Sequence, residues 1–159
     1  MTMPFSLAEE LKIVACYQGA ANAVACDVVS MKNFAKGWFI VYHSGANDTD
    51  LVLTVKIATD VAAGTNATIG TACRIWKDVD AGTSSDVLAA DTAATGYTID
   101  PATENGVILV FEIDPATFTS GYDCVYLGDS GGHASNVCSI LFVGVPRYAG
   151  SSLPAAITD

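Results

Sequence analysis

Apolar residues in this chain recur at every second position far more often than at helical spacing. Leu51, Leu53, Val55 and Ile57 alternate with Val52, Thr54 and Lys56, the pattern of a strand with one buried face. Gly37 to His43 is apolar on both sides, with Phe39 and Val41 on one face and Trp38, Ile40 and Tyr42 on the other. That predicts a strand that is central or covered on both sides. Val107 to Ile113 is the most apolar segment and belongs in the core. Further strands are predicted at Ile13 to Tyr17, Ala25 to Ser30, Thr68 to Trp76, Gly96 to Ile99, Tyr122 to Leu127 and Val137 to Val145. Asp78 to Thr95 is rich in Asp, Ala, Gly, Ser and Thr and reads as a long loop, with a short strand at Val87-Leu88. Eight or nine strands separated by turn signals predict an all-β fold, an antiparallel β-sandwich, with a jelly roll as one form it could take.

The start of the chain breaks the pattern. Ser6-Leu7-Ala8-Glu9 fits a capping box, in which Ser6 accepts from the Glu9 amide and Glu9 reaches back. Leu7 and Leu11 share one face at i, i+4. A short N-terminal helix follows. The chain divides into an arm at 1–12, a sandwich domain at 13–146 and a small-residue tail at 147–159, with Pro146 ending the last strand. Ile99-Asp100-Pro101-Ala102-Thr103 and Ile113-Asp114-Pro115-Ala116-Thr117 echo each other; both read as Asp-capped turns with Pro in first position.

Composition narrows the function. At 51% hydrophobic and 15% charged, the 159-residue chain has the material for a packed core. The formal net charge is −10, and the seven basic residues are scattered. Nucleic-acid binding needs clustered Lys and Arg to displace counterions, so no nucleic-acid partner is expected. No apolar run reaches the roughly 20 residues of a membrane helix, and no membrane association is expected. Met1 to Lys12 has neither the basic start nor the apolar stretch of a signal peptide. The five cysteines, Cys16, Cys26, Cys73, Cys124 and Cys138, are odd in number and lack CxxC spacing. They read as free, mostly buried thiols.

Gly128-Asp129-Ser130-Gly131-Gly132 spells the nucleophile string of chymotrypsin-like serine proteases, where glycines shape an oxyanion hole beside the serine. His43 precedes it in the right order, and Asp60, Asp78 or Asp80 could complete a triad. The surroundings depart from that family. Val41-Tyr42-His43-Ser44-Gly45 lacks the Ala-Ala-His-Cys context, and His133 stands where the family has proline. The string reads as a loop between strands. Asp78-Val79-Asp80-Ala81-Gly82 lacks a third ligand before its glycine, and Ala89 stands where a calcium loop has Glu. His43 and His133 have no HxH or HExxH spacing. Glu112 is a carboxylate without a partner, expected to face solvent. Trp38, Trp76 and Tyr97 could form a sugar-binding platform, but are expected in the core. The prediction is no enzyme: no catalytic residue, no cofactor and no metal.

Several stretches together resemble small proteins encoded among the head and tail genes of tailed phages and prophages. They are Met3 to Ile13, Val29 to Phe34, Leu53 to Asp60, Gly121 to Val125 and Pro146-Arg147-Tyr148. The resemblance implies a virion component, a decoration or cement protein that binds the outside of the capsid shell. It implies the major capsid protein as partner, a homo-oligomer with a trimer favoured, and assembly in the bacterial host cytoplasm. A tail or neck subunit is the alternative within the class; a serine protease using Ser130 is the alternative outside it. The candidate contacts are Phe5, Leu7 and Leu11 in the arm and Pro146, Tyr148 and Leu153 in the tail. Both termini could equally serve to cover the ends of the sandwich.

Overall fold

The computed structural model describes residues 6–83, 85–104, 106–148 and 152–158. One short helix, α1 (Leu7–Glu10), precedes strands β1 (Lys12–Ala20), β2 (Val29–Ser30), β3 (Phe34–Ser44), β4 (Leu51–Ala58), β5 (Asn66–Thr68), β6 (Arg74–Asp78), β7 (Ala89–Ala90), β8 (Gly96–Ile99), β9 (Val107–Ile113), β10 (Cys124–Gly131) and β11 (Val137–Pro146). The strands form two antiparallel sheets. The six-stranded sheet has the order β1-β11-β3-β9-β6-β7, and the five-stranded sheet the order β2-β10-β4-β5, with β8 also pairing β4. The chain is therefore the expected all-β sandwich with a short N-terminal helix.

The alternation in β4 sets its inner face. Leu51, Leu53, Val55 and Ile57 are all fully buried. Removing four such side chains from water is worth roughly 6–12 kcal/mol before chain entropy is subtracted. Opposite them, the six-stranded sheet contributes Phe39 and Val41 from β3, Leu109 and Phe111 from β9, and Ile140 and Phe142 from β11. Phe142 ties this layer together. Its ring meets Phe39 at 5.4 Å and Phe34 at 5.8 Å, both edge-on, the arrangement that aromatic quadrupoles favour.

Three local readings change. The Thr68 to Trp76 segment is not one strand: β5 ends at Thr68 in the smaller sheet, and β6 begins at Arg74 in the larger. Ile69 and Cys73 are buried at the two ends of the crossing, so the period-two pattern continues while the chain changes sheets. Ala25 to Ser30 contracts to the two residues of β2. The N-terminal helix forms, but without the Ser6 side-chain cap. The Glu9 amide donates to the Ser6 carbonyl at 3.1 Å, and Glu10, not Glu9, reaches back to the Ser6 amide. The two echoed turns do form alike. Asp100 Oδ1 accepts from the Ala102 amide at 3.0 Å, and Asp114 Oδ1 from the Ala116 amide at 2.9 Å.

Candidate functional site

The protease string was the sharpest chemical candidate, and its geometry rules against a triad. Gly128 to Gly131 are not a loop but the end of β10. On that strand Val125 and Leu127 point into the core, and Asp129, on the same side, accepts from the Val24 amide at 3.2 Å. Ser130 therefore points the other way, and it is exposed. His43 lies in β3, between Cys138 and Val107 of the neighbouring strands, fully buried on the inner face of the opposite sheet. Neither of its ring nitrogens has a hydrogen-bond partner among the described residues. Burial holds its pKa below the ordinary value. The base is thus sealed in the core and the hydroxyl faces outward across a sheet. The glycines serve the turn instead: Gly131 and Gly132 have φ of 77° and 79°, and the Gly132 amide donates to the Asp50 carbonyl at 2.6 Å.

The other candidates also resolve into structural roles. Among the described residues, no group of three or more His, Cys, Asp or Glu is placed to hold a metal ion. Asp78 Oδ1 accepts from the Asp80 amide, and Asp80 in turn takes the Thr83 hydroxyl, so the acidic loop is closed on itself. His133 Nδ1 accepts from the Ser135 amide at 3.1 Å in the turn before β11. Among the described residues no disulfide joins any of the five cysteines, and only Cys26 is not buried. Burial pushes the Cys138 thiol up to about 12 and Cys73 to about 11, which leaves neither a ready nucleophile.

The short helix and the described part of the tail border one groove. Glu9 and Glu10 of α1 face Val145, Pro146, Tyr148, Ser152 and Leu153 across a groove of about 340 Å³. Tyr148 is 79% exposed, while Pro146 and Leu153 are half-buried. Leu7 is half exposed and Leu11 partly buried beside the first strand. Phe5 lies outside the described residues. The tail is anchored beyond this groove: Arg147 Nε donates to the Phe34 carbonyl at 2.8 Å, and the Ala156 carbonyl accepts from the Ser30 amide at 2.6 Å. Arm and tail thus border one feature, which the sequence reading named without placing together.

The largest feature is the outer face of the six-stranded sheet. Strand register aligns Ala15, Leu141, Ile40, Val110 and Trp76 in one row, and Ile13, Val143, Trp38, Glu112 and Arg74 in the next. Tyr42 and Ile108 stand beside each other in a third. Ile13, Tyr42, Val137 and Leu141 are each more than 40% exposed. The five-stranded sheet packs against the opposite, inner side of these strands, and Leu88, from the loop before β7, borders the rows near Trp38 and Trp76. The β3 strand is central, as its two apolar faces predict, but only its inner face is covered.

Trp38 and Trp76 are not in the core. With Leu88, Val110 and Glu112 they line an open groove of about 380 Å³ on this face. Arg74 stacks over the Trp76 ring at 4.7 Å. Glu112 is not a lone solvent-facing carboxylate: Lys36 approaches it at 2.7 Å and Arg74 at 3.7 Å. Two cations thus compensate one carboxylate at the edge of an apolar field, so Glu112 presents no unpaired negative charge there. Comparison of the chain with family models, with curated proteins and with solved structures finds no match.

Sequence reasoning missed this face, although the signal was present. A sandwich has two layers, so each strand can have only one face covered from within. Strands β3 and β11 are apolar at nearly every position, and their second faces need a third layer.

Proposed function

We propose that the chain is a non-enzymatic structural component of a tailed-phage particle, a decoration or cement protein that binds the outside of the capsid shell. The observation that carries this reading is the exposed apolar face of the six-stranded sheet, which marks the chain as a subunit of a larger assembly, with the shell itself met elsewhere on its surface. Soluble monomers rarely expose a contiguous apolar patch beyond a few hundred Å² unless a partner covers it. The buried, unpartnered His43 and the outward Ser130 supply no convergent chemistry to set against it. The strand order adds support. Strands β1-β11-β3-β9 facing β2-β10-β4-β8 follow the order of two interleaved Greek keys, which we read as a jelly roll, a winding that viral capsid and lectin domains use.

The groove between α1 and the tail is the proposed shell contact, through Tyr148 and Leu153 in particular. The test is to add the full chain to expanded heads that lack it and to sediment them. Stoichiometric binding with raised resistance to heat supports the reading. Absence of the chain from purified particles, together with no binding to heads, overturns it.

A second reading is a carbohydrate-binding sandwich, favoured by Trp38 and Trp76 bordering one groove. Its weakness is that Glu112, the nearest carboxylate, is already committed to Lys36 and Arg74. Glycan-array binding that is lost in Trp76→Ala would favour it over the shell.

A further inference from the structure

We infer that the outer face of the six-stranded sheet is covered by a second copy of this chain, the two faces packing about a two-fold axis. The inference rests on the docking reading above and names the partner of its apolar face. Size is the first argument. Six strands spaced about 4.8 Å apart span roughly 24 Å, and the eight residue pairs from Gly37 to Ser44 along β3 and β11 span roughly 27 Å. The footprint approaches about 650 Å² per copy, or about 1,300 Å² for a pair, within the range of stable protein interfaces. Side-chain relief increases the area actually buried.

Charge is the second argument. The chain carries a formal net charge of −10, yet this face is almost free of uncompensated acid. Glu112 is held between Lys36 and Arg74. Asp78, at the end of β6, is buried and turned to the Asp80 amide. A basic partner would be drawn to the acidic loops, not to this face. An identical face, in contrast, sets no unpaired Glu112 carboxylate against another. Self-complementarity is the third argument. A two-fold contact uses the same patch on both copies, so one broad flat face suffices. Face-to-face sheets pack about 10 Å apart, and the rows through Ile40 and Leu141 present aliphatic side chains of the size that such packing interdigitates. A trimer would instead need two different complementary patches. The pair is therefore the assembly that this face predicts.

The test is sedimentation equilibrium on the full chain with Leu141→Lys and Tyr42→Lys, both exposed positions at which the fold itself tolerates a charge. The wild-type protein is expected at twice the 16.4 kDa chain mass. Each variant is expected to raise the dimer Kd by roughly 100-fold or more, because symmetry buries two unpaired charges at once. Tyr148→Lys, in the terminal groove, is expected to leave the dimer unchanged. A second readout needs no variant. Both tryptophans of the chain, Trp38 and Trp76, lie on this face. Acrylamide quenching of their fluorescence should fall as wild-type protein is raised from about 0.1 µM to about 100 µM, a range that brackets a micromolar Kd. A monomeric wild type with unchanged quenching overturns the inference, as does a dimer that survives both lysine variants. Head binding is read separately. A monomer that binds heads overturns only the pair, and a dimer that never binds heads overturns only the capsid reading.

Discussion

Replacing His43 with leucine should stabilise the protein and remove part of its acid sensitivity. The imidazole is fully buried with both ring nitrogens unpartnered. A buried polar group left without a hydrogen bond costs about 1–3 kcal/mol. Leucine puts hydrocarbon in the same space between Cys138 and Val107, so His43→Leu should gain about 1–3 kcal/mol at neutral pH. The pH dependence has a definite sign. Burial lowers the His43 pKa in the folded state. As pH falls below the ordinary value of about 6.5, the unfolded chain binds a proton that the native chain does not. Stability is therefore lost with falling pH until the folded group itself titrates, at up to about 1.4 kcal/mol per pH unit. The assay is urea unfolding of both proteins at about pH 7.5 and about pH 5.5, bracketing the ordinary histidine value. Carboxylates common to both proteins cancel in the difference. The advantage of the variant should widen in acid. Parallel pH profiles, or a variant less stable than wild type at neutral pH, would show that the imidazole has a partner and refute the reasoning.

Three further outcomes follow from the same geometry. Ser130 should not react with a fluorophosphonate probe, and Ser130→Ala should leave folding unchanged; probe labelling of folded wild type that vanishes in the variant would restore the protease reading. Gly132→Ala should cost at least about 2–3 kcal/mol in a urea melt. The residue has φ of 79°, and an added Cβ would stand 2.1 Å from the Ala21 carbonyl oxygen. A loss under half a kcal/mol would mean that the turn relaxes freely. Burial, reinforced by the bond to Glu104, pushes the Tyr97 phenol up to about 12. The unfolded phenol loses its proton near pH 10, so Tyr97 should make stability fall between about pH 10 and about pH 12. Tyr97→Phe should flatten that fall, and an unchanged alkaline profile would contradict the assignment.

The fold was legible where each strand has one wet and one dry face. Leu51 to Ile57 alternates, and the smaller sheet places it as the pattern requires. The crossing at Ile69 to Cys73 was not legible, because buried residues at both of its ends keep the period of two while the chain passes between sheets. The protease string misled in a different way. Glycine, aspartate and serine favour turns, but residues 128–131 are held in β10 by pairing along Leu51 to Thr54. Asn136 was passed over entirely. It is fully buried, exchanges hydrogen bonds with the Asn47 backbone at 3.3 and 3.2 Å, and ties two loops at the end of the sandwich. A lone asparagine in a polar stretch carries no sequence signal of that role. The outer-face rows were hidden because register, not sequence spacing, brings Leu141, Ile40, Val110 and Trp76 side by side.

The central claim is that the apolar face of the six-stranded sheet works as a protein contact. Hydroxyl-radical footprinting of the chain in its assembled state, compared with the same chain at high dilution, tests it most directly. Trp38, Tyr42 and Leu141 should be strongly protected on assembly, while Val87, on the exposed loop between β6 and β7, keeps its reactivity. Equal oxidation of Trp38, Tyr42 and Leu141 in both states would contradict the account.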